Sequence, residues 1–153
     1  MTQNEKDIFF MREALAEAYR AAELDEVPVG AVVTFDDMVI ARACNTRETE
    51  KCAVCHAEIS AIREACRVRG GWRLPGSTLY VTLEPCPMCM GAAVNARFER
   101  VVFGATDPKG GACGGLFDLL DYPLNHHPET VGGVLKEECS QILTAYFKNK
   151  RAK

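Results

Sequence analysis

Two short segments hold residues that can work together on a metal ion and a proton. His56-Ala57-Glu58 stands at the start of one expected helix, and Pro85-Cys86-Pro87-Met88-Cys89 opens the next. Cysteines at i and i+3 share one face of a helical turn, so both sulfurs can reach a single ion. Two thiolates and one imidazole make three protein ligands for zinc and leave the fourth position to water, the catalytic rather than the structural arrangement. A helix N-terminus favours thiolates through its dipole, and a proline just ahead of that turn costs no hydrogen bond. Glu58 lies two residues from His56, where its carboxylate can take a proton from water and deliver it to a substrate nitrogen. Lewis acid, nucleophile and proton shuttle are then all present.

A second cysteine pair competes. Residues 52–56 read CAVCH, formally a c-type haem attachment sequence. Haem attachment would want an exported protein, a distant axial ligand and a helical fold. Alternatively Cys52, Cys55, Cys86 and Cys89 would make a four-cysteine structural zinc site, which leaves His56 and Glu58 without a role. Cys44, Cys66, Cys113 and Cys139 read as core or near-surface thiols.

The elements that must position these groups follow from periodicity. Ile8, Met11, Leu15, Tyr19 and Ala22 recur at helical steps, which predicts an amphipathic helix over 5–23 capped by Asn4, with Asp7 in its first turn. Two β-rich runs, 27–35 and 38–44, flank Asp36-Asp37 and predict a hairpin. A polar loop spans 46–55, and a helix over 56–68 stops at Gly70-Gly71. LYVTL at 79–83 and RVVFG at 100–104 are apolar enough to be strands covered on both faces. A helix over 86–96 lies between them; a Gly-rich loop at 107–115, a short helix at 116–121, a strand at 131–135 and a last helix at 136–150 follow. This alternation predicts one three-layer α/β domain over 1–153 with a mixed sheet.

Composition narrows the class. With 153 residues, 48% hydrophobic and 25% charged, the chain is long enough for one core and too apolar for disorder. No apolar run approaches the roughly 18 residues of a membrane span, and the polar start, with Glu5 and Asp7, does not read as a secretory signal. Eight cysteines fall below the density of a disulfide scaffold and are expected to be reduced. The net charge of −3 argues against non-specific coating of nucleic acid, yet residues 148–153 carry four bases and no acid. That tail fits either a helix C-terminus complementing its dipole or a local phosphate contact.

HAE followed by PCxxC is the signature of zinc-dependent nucleobase deaminases. Beyond it, the chain resembles the bacterial tRNA adenosine deaminase family (TadA) from about residue 8 to 151. The resemblance rests on VPVGAVV at 27–33, Asn45, HAEISAI at 56–62, LYVTLEPCPMCMGAAVNAR at 79–97 and RVVFGATDPKGGACG at 100–114. LNH at 124–126, GVL at 133–135 and FKNKR at 147–151 complete it. One local mark is absent: Ala53-Val54-Cys55 stands where the family has a Pro-Thr-Ala-like stretch.

The resemblance implies a cytidine-deaminase-like α/β/α fold with a five-stranded mixed sheet, in a cytoplasmic homodimer with one zinc per subunit. It implies hydrolytic deamination of adenosine to inosine at the wobble position (34) of tRNA anticodons, with an arginine tRNA as the expected partner. Carried over by position, His56, Cys86 and Cys89 hold zinc and Glu58 shuttles protons. Asn45 and the backbone of Ala57 hold the flipped base, and Asp107 lies near the ribose. Asn125, His126, Phe147, Lys150 and Arg151 touch the anticodon loop. A deaminase of a free base or nucleoside, such as guanine or cytosine, and a non-catalytic zinc-stabilised binding module remain as other readings.

Overall fold

Strand residues that alternate between two buried faces set the architecture. In the computed structural model, which describes residues 1–152, β1 (Gly30–Phe35) and β2 (Met38–Cys44) form the hairpin. Asp36 and Asp37 take positive φ of 51° and 58°, the mirror-image turn whose twist matches the strands it joins. With β3 (Thr78–Leu83), β4 (Arg100–Ala105) and β5 (Glu129–Val131), they build one five-stranded sheet in the order β2-β1-β3-β4-β5. β1 runs antiparallel to β2 and β3, whereas the β3–β4 and β4–β5 pairs are parallel, so the sheet is mixed as expected.

Ala31, Val33, Leu79, Val81 and Val101 pack into one core with α3 (Ala57–Arg69) and α4 (Pro87–Asn95). Val32, Tyr80 and Val102 pack on the other face into α1 (Gln3–Glu23) and α5 (Lys136–Ala152). A short α2 (Arg47–Glu50) breaks the expected polar loop. Gly30 is required by close approach: a Cβ there would sit 2.1 Å from the Ala14 carbonyl oxygen, so α1 lies directly on β1. No helix is long and apolar enough to cross a membrane among the described residues. Lys153, part of the expected basic tail, lies outside them.

Three local expectations change. The α1 cap is Thr2, not Asn4: its side chain accepts from Glu5 N–H at 3.1 Å, and the Glu5 carboxylate accepts from Thr2 N–H at 3.0 Å. Two orphan donors are thereby satisfied at once, which moves the helix start two residues earlier. The last strand is 129–131 rather than 131–135, because Gly133 and Leu135 adopt positive φ and turn the chain into α5. Val134 and Leu135 spend their apolar surface on the α1 side of the core instead.

The third concerns Asp7, expected in the first turn of α1; the earlier start leaves Glu5 as the first-turn acid and puts Asp7 in the second turn. It is buried, bonded by both terminal nitrogens of Arg100 at 2.8 and 2.9 Å and by the Tyr80 hydroxyl at 2.7 Å. Burial pushes its carboxyl up, but Arg100 and Tyr80 outweigh that and hold it below the usual carboxylate range. Asp7→Ala should cost about 3–5 kcal/mol, because the Arg100 charge would stay buried without its partner. A carboxyl whose pKa is lowered on folding stabilises above its unfolded value of about 3.9 and loses that contribution as pH falls. Urea unfolding should therefore show a gap between wild type and variant that is full at neutral pH and narrows below about pH 4.

Candidate active site and metal centre

One end of the sheet gathers the chemistry. Parallel β3 and β4 pair as far as Leu83 opposite Ala105, and Gly30 pairs with Cys44 on the antiparallel side. Asn45, Glu84-Pro85 and Thr106-Asp107 therefore leave the sheet along one edge, the carboxyl end of the parallel strands where α/β folds place ligands. β3 runs into Cys86, which caps α4, and His56 caps α3. Both helices thus aim their N-termini at one point, and neither cap residue spends its side chain on a capping bond.

Among the described residues, His56, Cys86 and Cys89 are the group that could hold a metal ion, with ligand atoms all within 4.8 Å of one another. His56 Nδ1 lies 3.7 Å from Cys86 Sγ and 3.5 Å from Cys89 Sγ. Tetrahedral zinc with bonds of about 2.05 Å to nitrogen and 2.3 Å to sulfur separates those atoms by about 3.6 Å. The donor set therefore fits zinc in both chemistry and spacing, with three ligands and an open side. Cys52 and Cys55 do not join this group, so no four-cysteine site forms among the described residues.

The charges are poised for a cation. Bonds to Cys89 and His56 pull the Cys86 thiol down to about 4 against the opposing effect of burial. Cys89, whose proton is held by Cys86 and by burial, is pushed up, and the bond to Cys86 raises His56. A divalent ion would displace the remaining proton and leave two thiolates. Burial pushes Glu58 up to about 7, with the Cys86 charge adding to it and its own backbone N–H opposing. Glu58 is 4% exposed and stands beside the group without belonging to it.

A cavity of about 150 Å³ opens over these residues. Val27, Val29 and Leu83 form its apolar wall; Asn45, Arg47, Ala57 and Asp107 add polar groups. Asn45 is locked, its Nδ2 donating to Val27 O at 3.2 Å and its Oδ1 accepting from Arg47 N–H at 3.1 Å. One Nδ2 hydrogen is left for a ligand. Ala57 is the first residue of α3, where backbone N–H groups have no intrahelical acceptor. Asp107 Oδ1 accepts from the N–H groups of Lys109 and Gly110, which fixes the turn at the rim.

Glu84 and Arg47 are site residues that sequence reasoning missed. The buried Glu84 carboxylate accepts from the N–H groups of Asp107 at 2.9 Å and of Cys113 and Gly115 at 2.8 Å. It folds the Gly-rich loop around itself, and a Cβ at Gly111 would sit 2.2 Å from its Cδ. Nothing local in the sequence marks this, because the acceptor precedes its donors by 23 to 31 residues. Arg47 had a cue in its nearness to Asn45.

The remaining expected contacts separate. A wider groove of about 710 Å³ shares Val27, Leu83 and Asp107 with the cavity and adds Lys109, Phe147 and Arg151. Phe147 and Arg151 thus line a groove that adjoins the cavity. Lys150 lies over a different groove, between α1 and α5, and bonds Asp25 at 2.9 Å. Asn125 is exposed and His126 Nε2 lies 2.6 Å from the Phe98 carbonyl oxygen; neither lines the cavity or the wider groove.

Residues 4–105 match the family of the cytidine and deoxycytidylate deaminase zinc-binding region. The chain is 54% identical to a tRNA-specific adenosine deaminase of Bacillus subtilis, over 100% of this chain and 94% of the relative. It is similar to a solved structure from a study of A-to-I editing by tRNA:A34 deaminases at the wobble position, with a TM-score of 0.86 and 46% identity over 88% of this chain and 99% of that one. A guanine deaminase structure from Nitrosomonas europaea is also similar, with a TM-score of 0.75 and 25% identity over 90% of this chain and 82% of that one.

Proposed function

The chain belongs to the bacterial tRNA-specific adenosine deaminase family, within the zinc-binding deaminases, and from that we propose that it hydrolyses adenosine to inosine at the wobble position of tRNA anticodons. The observation that carries this reading is continuity: His56, Cys86 and Glu58 line a small cavity that shares Val27, Leu83 and Asp107 with the groove of Phe147 and Arg151. A nucleotide extruded from a loop would enter the cavity while its neighbours lie along the groove.

His56, Cys86 and Cys89 would hold the zinc. Zinc bound there supplies Lewis acidity that makes water nucleophilic near neutral pH. Glu58 takes a proton from the attacking water and hands it to N1 of adenine as C6 is attacked. It then carries a proton to the departing amino group, and ammonia leaves. Burial raises the Glu58 carboxyl above its ordinary value, the direction that helps it return a proton as well as accept one. Asn45 and the Ala57 N–H hold the base edge, and Asp107 faces the ribose. Phe147 stacks a flanking base and Arg151 meets phosphate. Lys150, Asn125 and His126 would reach the anticodon arm only at the periphery. The enzyme works on cytoplasmic tRNA, an arginine tRNA first, as a homodimer of single-domain subunits.

Incubation with unmodified arginine tRNA beside free adenosine, guanine and cytidine tests the assignment. Inosine should form in the tRNA alone; conversion of a free base with the tRNA untouched would transfer the chain to the small-molecule deaminases. The tail makes a finer prediction. Phe147→Ala and Arg151→Ala should each raise KM for tRNA about 5- to 150-fold, the worth of about 1–3 kcal/mol per stacked base or charged contact, at unchanged zinc content. Lys150→Ala should change KM little, since its exposed pair with Asp25 is worth at most about 1 kcal/mol. Equal effects at all three positions would contradict this placement.

A further inference from the structure

We propose that Cys52 and Cys55 are a thiol-modification site, which small-molecule disulfides convert to a reversible intraloop disulfide that lowers activity. The pair lies outside the metal group, and the proposed function gives it no role. Cys55 N–H donates to the Cys52 carbonyl at 3.3 Å, closing a four-residue turn. Such a turn brings its end Cα atoms within about 7 Å, and bridged cysteines need about 4.4–6.8 Å. Cys52 is half-buried beside exposed Ala53 and Val54, so a small reagent can reach it first, whereas its partner Cys55, like Cys44, Cys89 and Cys139, is buried.

The turn is tied to the site on both sides. Cys52 N–H donates to Arg47 O at 3.0 Å, Thr46 N–H donates to Cys55 O at 3.1 Å, and His56 N–H donates to Val54 O at 2.8 Å. Asn45 therefore stands at one end of the tied segment and His56 at the other. Drawing the sulfurs to about 2.05 Å tightens the turn, and the movement passes to residues that must hold position closely for turnover.

The exchange balances without another reactant. The Cys52 thiolate attacks one sulfur of the small disulfide, breaking its S–S bond and releasing one thiol. The Cys55 thiolate then attacks Cys52 Sγ in the mixed disulfide and releases the second. Two protein thiols are oxidised by two electrons and one small disulfide is reduced to two thiols. A dithiol reductant reverses the sequence.

The test treats zinc-loaded protein with oxidised glutathione, alkylates the remaining thiols and cleaves with trypsin. Peptide 52–63, released by cuts after Lys51 and Arg63, contains these two cysteines and no other. The expected product is that peptide unalkylated and lighter by two hydrogen atoms, with deamination of tRNA lowered about 10-fold, zinc retained and activity restored by dithiothreitol. Cys52→Ser should keep its activity through the same treatment. Two alkylated thiols in the peptide, stable glutathione adducts, or a bridge to another cysteine would overturn the site. A bridge without loss of activity, or equal loss in Cys52→Ser, would overturn its coupling to turnover. The activity measurement rests on the proposed function and the peptide mass does not, so the two readings fail separately.

Discussion

Glu58→Ala is expected to retain zinc and to lose turnover by about 10²–10⁴-fold, the range that a positioned proton carrier contributes. Glu58 is 4% exposed and stands beside the metal ligands, where burial raises its carboxyl to about 7. No other carboxylate on the cavity wall can replace it. The Glu84 carboxylate is occupied by three backbone N–H groups. Asp107 is held at the rim by its own turn. Glu58→Gln separates proton transfer from packing: it keeps volume and polarity but cannot accept a proton, so it should be as inactive as the alanine variant. Stoichiometric zinc in both variants, with kcat lost and tRNA binding kept, is the expected result. Substantial kcat in the glutamine variant would remove Glu58 from the proton path.

Cys89→Ala should have the second large effect, a loss of the metal and with it all activity. Cys89 is fully buried on the first turn of α4, where neither solvent nor a neighbouring side chain can supply a replacement thiolate. Removing an outer hydrogen-bond partner of a metal ligand costs about 10–100-fold in affinity, and removing the ligand itself should cost more. Cys86→Ala should behave alike. Zinc measured by elemental analysis should fall from one per subunit towards none, with far-ultraviolet circular dichroism showing a fold still present, because both hydrophobic cores lie along the sheet faces. Full zinc content in either variant would mean that the metal sits elsewhere.

How much of this could be read from the chain depended on sequence distance. The 3.7 and 3.5 Å between His56 and the two sulfurs, 30 and 33 residues away, depend on how α3 and α4 dock. HAE and PCxxC each lie within one helical turn, so which of their side chains share a face was legible locally. The hairpin at Asp36-Asp37 was legible for the same reason. The buried role of Asp7 was not legible because its partner Arg100 is 93 residues away and its burial depends on how α1 lies on the sheet. Glu84 carried no signal because its donors belong to a loop that returns only after β4. Lys150 and Arg151 are adjacent in sequence but about 100° apart around a helix. Only the docking of α5 decides that Arg151 meets the groove while Lys150 meets Asp25.

The most direct measurement digests arginine tRNA after incubation with the zinc-loaded protein and maps each deaminated nucleotide by mass spectrometry. Conversion of adenosine to inosine at the wobble position and nowhere else, abolished by Glu58→Gln, is the result predicted. Inosine at scattered adenosines, or an unchanged wobble adenosine while a free base or nucleoside is deaminated, would contradict the account.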